Sequence, residues 1–427
     1  MSMLACLQHC VRVYFSTYGC TMNQGDTEVL RALVARRHQV VDSPEKCDAV
    51  VVNSCAVVET TERKVLKEVR HHKRCGRRVV LAGCLAAANP EAAAAAGADA
   101  VLPPARLAQV EEVLEGKPAA ACAPAVRPEL PKLRHGDSAI AIVAISEGCL
   151  GRCSYCITKR ARGRLRSFHP ESIRREVEQA LEQGYREIQL TSQDTAVYGR
   201  DIGTSLPELL GTLTDIEGEF RIRVGMMNPA YAGEVFDELL KAYESRKVYR
   251  FLHMPVQSGS NEVLEHMRRG YRVEDFVELA EEFRRRFPES TLSTDVIVGY
   301  PTEGEREFEL TRRLIEELKP EILNITRFSP RPGTEAARLR PLRGGVVKER
   351  SRRLTSLMRR IALERNRRYL GRSMEVLVTK HGKKGTLLAR NSAYRQVVLG
   401  MGSAELGDFL RVRVSRVSHT CLFAHEA

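Results

Sequence analysis

The chain of 427 residues has no tryptophan and an aromatic content of only 6%. Large aromatic platforms for stacking bases are therefore not obvious from composition. No run approaches the roughly 20 apolar residues that a membrane span needs. Residues 1–6 lack the basic and apolar segments of a secretory leader. The expected setting is a reducing, cytoplasmic compartment with no membrane partner. A chain of this length needs no disulfide staples. Where its 12 cysteines cluster, they point to metal binding or catalysis. Apolar residues make up 43% of the chain, enough for real cores, and the length suggests about two to four domains. The net charge of +13 fits either general solubility or a polyanionic partner, of which nucleic acid is the commonest.

The sharpest local pattern is Ser146-Glu-Gly-Cys-Leu-Gly-Arg-Cys-Ser-Tyr-Cys156, a C-x3-C-x2-C arrangement of Cys149, Cys153 and Cys156. An apolar stretch over 139–145 precedes it and is short enough for one buried strand. Spacings of two and three residues let thiolates converge on one inorganic cluster. Zinc usually takes four ligands, and no nearby His or Cys supplies a fourth; zinc or incidental core cysteines remain the alternatives. Three cysteines on a four-iron cluster leave one iron open to a substrate or cofactor. The motif resembles the radical S-adenosylmethionine (SAM) signature, which implies that the open iron chelates the amino and carboxylate groups of SAM. Arg152 and Tyr155, inside the loop, take no firm role.

Upstream, one grammar repeats three times. Strands expected over 11–15, 48–52 and 78–81 run into Cys20, Cys55 and Cys84, each followed by a helical stretch. Strands alternating with helices imply a parallel sheet, whose strand ends lie along one edge. The three cysteines should therefore converge although 34 and 28 residues intervene. Three separately buried cysteines are the bland alternative. Cys6, Cys10, Cys47, Cys75, Cys122 and Cys421 lack this placement and read as ordinary residues. The segments Tyr18-Gly-Cys-Thr-Met-Asn23, Asn53-Ser-Cys-Ala-Val57 and Ala82-Gly-Cys84 resemble the N-terminal domain of the methylthiotransferases. That resemblance implies two 4Fe–4S clusters held by Cys20, Cys55 and Cys84 and by Cys149, Cys153 and Cys156, the first of them handling the sulfur to be inserted.

Proline-rich residues 115–137 read as a linker. From 139 the alternation resumes, with strands expected over 139–145, 187–191, 221–225, 249–254, 291–298 and 323–328. Six β/α units suggest a partial (β/α)6 barrel, although composition alone does not separate this from an open doubly wound sheet. The cysteine loop after the first strand tips the balance toward the radical SAM core. Polar groups at the other strand ends then suit SAM: Gln193 and Asp194, and Gln257, Ser258 and Gly259 within the family-like His253-Met-Pro-Val-Gln-Ser-Gly-Ser260. Directly after the cluster loop come Lys159, Arg160, Arg162, Arg164 and Arg166, either a solvated run or a basic rim for an RNA backbone.

A basic helix is expected over 346–369. Short alternating strands follow over 375–379, 386–389, 396–399 and 409–417, the pattern of a small β-barrel. Residues 366–427 hold 11 Lys and Arg against 4 Asp and Glu, more than half the net charge in the last seventh of the chain. This segment resembles a TRAM domain, with Arg390 and Tyr394 where that module carries RNA-facing residues. The expectation is thus an α/β chain with three parts: a parallel α/β domain over 10–120, a radical SAM barrel over 135–365 and a TRAM barrel over 366–427.

The resemblance covers nearly the whole chain. It implies methylthiolation at C2 of an adenosine next to the anticodon of tRNA, through a radical derived from SAM. Tyr18-Gly-Cys-Thr-Met-Asn-Gln-Gly-Asp26 is most similar to the archaeal and eukaryotic branch, which acts on N6-threonylcarbamoyladenosine. Sister reactions on N6-isopentenyladenosine or on a ribosomal-protein aspartate are the alternatives, as is a non-catalytic iron–sulfur RNA-binding redox sensor. An electron donor such as ferredoxin or flavodoxin and a separate sulfur donor are implied partners.

Overall fold

The structure, a computed structural model, describes residues 10–120, 124–134, 137–400, 402 and 404–427. Cys6 and Cys122 lie outside the described residues. The chain divides into two compact units, residues 1–134 with 157–163, and residues 135–156 with 164–427.

The first unit is built on five parallel strands, β1 (Arg12–Thr17), β2 (Gln39–Val41), β3 (Ala49–Ser54), β4 (Arg78–Gly83) and β5 (Ala100–Leu102), in the order β2-β1-β3-β4-β5. A sheet covered on both faces needs strands that are apolar throughout rather than alternating. In β3, Ala49 and Val51 join one core with Val13, Phe15 and Val80, while Val50 and Val52 join the other with Val79 and Leu81. The edge strands β2 and β5, three residues each, were not expected, because half-buried runs that short carry no periodicity. The expected linker is partly structured. Arg127 is 3% exposed and pairs with Asp26, and the Leu133 amide donates to the Glu28 carbonyl at 3.0 Å.

In the second unit, β6 (Ile140–Ala144) leads into a short antiparallel ladder, β7 (Ser146–Glu147) with β8 (Arg166–Ser167), whose long connection carries the cysteine loop. Then come β9 (Glu187–Thr191), β10 (Arg221–Arg223), β11 (Phe251–His253), β12 (Thr291–Val298) and β13 (Ile322–Arg327). Parallel ladders join β6, β9 and β10, and join β11, β12 and β13; the bridge Ile222–Val248 links the two sets. The spatial order follows the chain, as in a partial (β/α)6 barrel and not a doubly wound sheet. Helices such as Pro170–Glu182, Val273–Arg286 and Glu305–Leu318 stand between strands. The 24-residue helix Gly344–Arg367 buries Leu354, Leu357 and Ile361. It leads to a closed barrel of β14 (Ser373–His381), β15 (Leu387–Asn391), β16 (Gln396–Leu399), β17 (Phe409–Val417) and β18 (Leu422–Glu426). The closing strand β18 was not expected. No described helix is long and apolar enough to cross a membrane.

Candidate metal centres

β1, β3 and β4 are neighbours, and each delivers a cysteine at its C-terminal end. Cys20 precedes helix Thr21–Val34, Cys55 follows β3, and Cys84 opens helix Cys84–Ala88. A polar lattice ties these three turns together, with Ser54 Oγ donating to the Ala82 carbonyl, just before Cys84, at 2.6 Å. Buried Asn53 donates to the Asn23 carbonyl at 2.7 Å and to Thr27 Oγ1 at 3.0 Å. Asn23 in turn donates to Asn53 Oδ1 at 3.3 Å and to the Ser54 carbonyl at 3.2 Å. Gly19 is at φ +137°, and a Cβ there would lie 3.0 Å from that of Cys55. Burial pushes the Cys55 thiol up to about 11, and the neighbouring Cys84 and Cys20 add to the rise. The segment Ile157–Gly163 belongs to this unit, and its Ile157 and Ala161 pack with Ala56, Cys84 and Ala88. Arg162 reaches Asp26 at 2.6 Å, and Arg127 pairs with the same carboxylate.

In the second unit, Cys149, Cys153 and Cys156 are all half-buried on the loop after β7. Gly148, at φ +75°, begins the loop, and its amide donates to Gln193 Oε1 at 2.6 Å. Ser154 ties the middle down through bonds to the His266 carbonyl at 2.8 Å and to Tyr300 Oη at 2.9 Å. The Gly151 amide donates to Cys149 Sγ at 3.2 Å. A Cβ on Gly151 would lie 3.2 Å from that sulfur and 3.8 Å from Cys153 Sγ, so only glycine leaves this cradle open. Burial, with Asp194 next in weight, pushes the Cys149 thiol up to about 11.

The sequence reading missed Arg269. It is 6% exposed, donates to Cys153 Sγ at 3.1 Å and bonds Tyr271 Oη at 3.2 Å. A buried arginine stands out as a signal only once its partner is a thiol rather than a carboxylate. No group of three or more His, Cys, Asp or Glu among the described residues is placed to hold a single metal ion. An iron–sulfur cube is wider than one ion. Three thiols with N–H donors on their sulfurs, as at Cys149 and Cys153, are fitting chemistry for such a cube.

The expected SAM residues divide. Gln257 adopts φ +69°, is 9% exposed, and its Oε1 has no hydrogen-bond partner. A left-handed non-glycine backbone and an orphaned buried acceptor are features that concentrate at ligand sites. Gln193 supports the cluster loop. Asp194 Oδ1 accepts from the Ala196 and Asn228 amides at 3.2 and 3.1 Å, and burial raises its carboxyl to about 6. Ser258 and Gly259 turn away from the site, toward helix Glu305–Leu318. The Gly259 amide donates to Thr311 Oγ1 at 2.9 Å, and a Cβ there would lie 2.6 Å from Thr311 Cα. Close helix packing requires that glycine.

The basic residues divide too. Arg160 and Arg164 are exposed. Arg166 is half-buried and pairs with Glu147 at 2.6 Å. Arg162 is buried on Asp26 and is not part of a solvent-facing rim. Tyr394 is the clearest correction. It is 9% exposed at φ +62°, its hydroxyl donates to Glu187 Oε1 at 3.2 Å, and its ring lies 4.9 Å from Tyr249 and 4.8 Å from Phe251. Arg390 stacks 4.5 Å over that ring. The pair seats the small barrel on the N-terminal end of the (β/α)6 strands, so the Tyr394 ring offers no face to RNA. Outward basic residues lie instead on β17, where exposed Arg411 and Arg413 alternate with buried Val412 and Val414.

Family models match in three places: the radical SAM superfamily over residues 143–315, the uncharacterized protein family UPF0004 over 12–102, and the TRAM domain over 367–425. The fold is similar to that of the radical S-adenosylmethionine methyltransferase TsrM from Kitasatospora setae, with TM-score 0.58 at 16% identity over 77% of this chain and 74% of that one. Superfamily membership brings one 4Fe–4S cluster and SAM. A protein of Drosophila melanogaster named threonylcarbamoyladenosine tRNA methylthiotransferase is 37% identical, covering 95% of this chain and 76% of its own. An Archaeoglobus fulgidus protein, named probable threonylcarbamoyladenosine tRNA methylthiotransferase, is 50% identical over 412 residues, 95% of this chain and 96% of that one. With a cysteine at three adjacent strand ends, a three-cysteine loop on a (β/α)6 barrel and a terminal TRAM barrel, the chain belongs to the threonylcarbamoyladenosine tRNA methylthiotransferases of the radical SAM superfamily.

Proposed function

We propose that this enzyme inserts a methylthio group at C2 of N6-threonylcarbamoyladenosine beside the anticodon of tRNA. The observation that carries the reading is the trio Cys20, Cys55 and Cys84 on one edge of a sheet, in a chain whose second unit holds a radical SAM loop. A SAM-cleaving centre alone makes a radical; a second cysteine trio gives it a sulfur to deliver. An aromatic C2–H offers neither an acidic proton nor a leaving group, so acid–base and nucleophilic routes do not open it. When bound, the cluster and SAM supply the one-electron chemistry that removes such a hydrogen.

The chain's own residues hold and orient. Cys149, Cys153 and Cys156 hold the SAM-binding cluster, Gln193 fixes its loop through Gly148, and Arg269 places a positive charge on Cys153. Cys20, Cys55 and Cys84 hold a second 4Fe–4S cluster, with Asn23 and Asn53 keeping the three turns in register. Gln257 offers its free Oε1 to SAM. Arg160, Arg164, Arg411 and Arg413 meet the phosphates of the anticodon stem-loop. In these roles residues 10–120, 135–365 and 366–427 act as sulfur-handling, radical-generating and RNA-holding parts. Electrons come from a low-potential carrier such as ferredoxin or flavodoxin, and sulfur from a separate donor, in the cytoplasm. Mass spectrometry of tRNA nucleosides from cells with and without the gene tests the proposal. Deletion should leave N6-threonylcarbamoyladenosine without its methylthio form, and an unchanged nucleoside profile would refute it.

A further inference from the structure

Several side chains on the concave side of the (β/α)6 strands are polar, although a barrel interior is ordinarily filled by apolar ones. Along β9 to β12, fully buried residues (Ile188, Leu190, Ile222, Leu252, Val296) alternate with half-buried Gln189, Arg223, His253 and Asp295. His253 Nε2 lies 3.2 Å from Asp295 Oδ1, and Asn324 on β13 donates to the same oxygen at 2.6 Å. Burial opposes the Asp295 charge, but the bonds from His253 and Asn324 hold its carboxyl below the ordinary range. That carboxylate is satisfied. Arg223 is not. One of its terminal nitrogens lies 3.4 Å from His253 Nδ1, its guanidinium sits 5.2 Å over Phe251, and its Nε is buried without a partner. A guanidinium whose terminal nitrogens make only that one long contact, in a half-buried site, is the fitting receptor for a carboxylate.

The register gives its depth. Arg223 pairs with Gln189, four residues before Gln193, the residue that holds the cluster loop. Tyr394, which accepts a 2.9 Å bond from Gln189, forms the floor. Arg223 therefore stands between floor and mouth, deeper than the cysteine loop. The modified adenosine carries one carboxylate, on the threonyl end of its N6 substituent, and N6 leaves the same ring edge as C2. We infer that Arg223 reads this threonyl carboxylate inside the barrel, so that the target base is recognised by the charge on its existing modification. This rests on the proposed substrate; an apolar isopentenyl group would leave the guanidinium unpaired, a strong penalty against the wrong base.

The test is binding of three anticodon stem-loops to the reconstituted holoenzyme, with SAM present and reductant absent. They carry N6-threonylcarbamoyladenosine, its methyl ester, or unmodified adenosine. The wild type should favour the free acid over the ester by about ten- to a hundredfold, the worth of a hydrogen-bonded charge. Arg223→Gln should erase that preference while the ester-bearing RNA binds as before, and Arg223→Lys should restore part of it. Equal affinity of the wild type for acid and ester, a preserved preference in Arg223→Gln, or a uniform loss for all three RNAs would each overturn the inference. If the wild type does not distinguish the modified stem-loop from the unmodified one at all, the proposed substrate itself fails.

Discussion

Gly83, just before Cys84, adopts φ +87°, and a Cβ there would lie 2.2 Å from Asn53 Oδ1 and 2.7 Å from the Ser54 carbonyl. Gly76 has a similar φ of +72° but open space around it. Gly76→Ala should cost about 1 kcal/mol, the backbone penalty alone. Gly83→Ala should cost more than about 3 kcal/mol, because the amide lattice of Asn23 and Asn53 must break as well. Urea unfolding compares them, and equal losses would mean the lattice is not fixing the cysteine turns. At the other centre, removing the Arg269 charge beside Cys153 should make the SAM-binding cluster harder to reduce. Arg269→Met should lower its midpoint potential by tens of millivolts, an order set by hydrogen bonding and charge at the sulfurs. A potentiometric titration followed by EPR reads this, and an unchanged potential would leave Arg269 a merely structural residue. The cysteines were legible because their spacing and strand-end placement are local. Arg269 was not, because its meaning depends on Cys153, 116 residues away.

At the scale of elements, each cysteine trio belongs to a different piece of secondary structure, and this separates their failures. Cys153→Ala, in the loop after β7, should abolish cleavage of SAM to 5′-deoxyadenosine. Cys55→Ala, at the end of β3, should leave that cleavage in place and stop sulfur insertion. Product analysis by liquid chromatography distinguishes the two, and equal loss in both variants would mean the trios are misassigned. The β15–β16 connection makes a second case. The resemblance put Arg390 and Tyr394 against RNA, yet φ +62° at Tyr394 turns its ring inward onto Tyr249, Phe251 and Glu187. Burial, with Glu187 beside it, pushes that phenol up to about 12. Tyr394→Ala should cost about 3–5 kcal/mol in stability, as for other buried aromatics. Tyr394→Phe should leave RNA affinity unchanged. Arg411→Ala and Arg413→Ala should each weaken RNA binding and reduce the slope of log affinity against log salt by about one. A salt series in fluorescence anisotropy checks this. A loss in Tyr394→Phe matching that of the arginine variants would reinstate the RNA role.

Over the whole molecule, what the sequence made readable was whatever repeats or is long. The strand–cysteine–helix unit, the six β/α units and the alternating β17 all carry periodicity over several residues. The three-residue strands β2 and β5, the two-residue strands β7 and β8, and the closing strand β18 do not, and they emerge only when a neighbour supplies hydrogen bonds. The charged runs were legible in amount but not in direction. Arg162, within the basic stretch after the cluster loop, is spent on buried Asp26, while Arg411 and Arg413 stand outward on a strand whose other face fills a core. The central claim joins all these parts: a radical centre, a sulfur centre and an RNA-holding barrel serving one substitution on one base. The direct measurement is a single reaction with the reconstituted enzyme, SAM, a reductant, a sulfur source and tRNA bearing N6-threonylcarbamoyladenosine, followed by mass spectrometry of the digested nucleosides. The account predicts that this nucleoside gains one methylthio group in place of its C2 hydrogen, with 5′-deoxyadenosine formed alongside. Unchanged N6-threonylcarbamoyladenosine, together with methylthiolation of tRNA bearing N6-isopentenyladenosine under the same conditions, would contradict it.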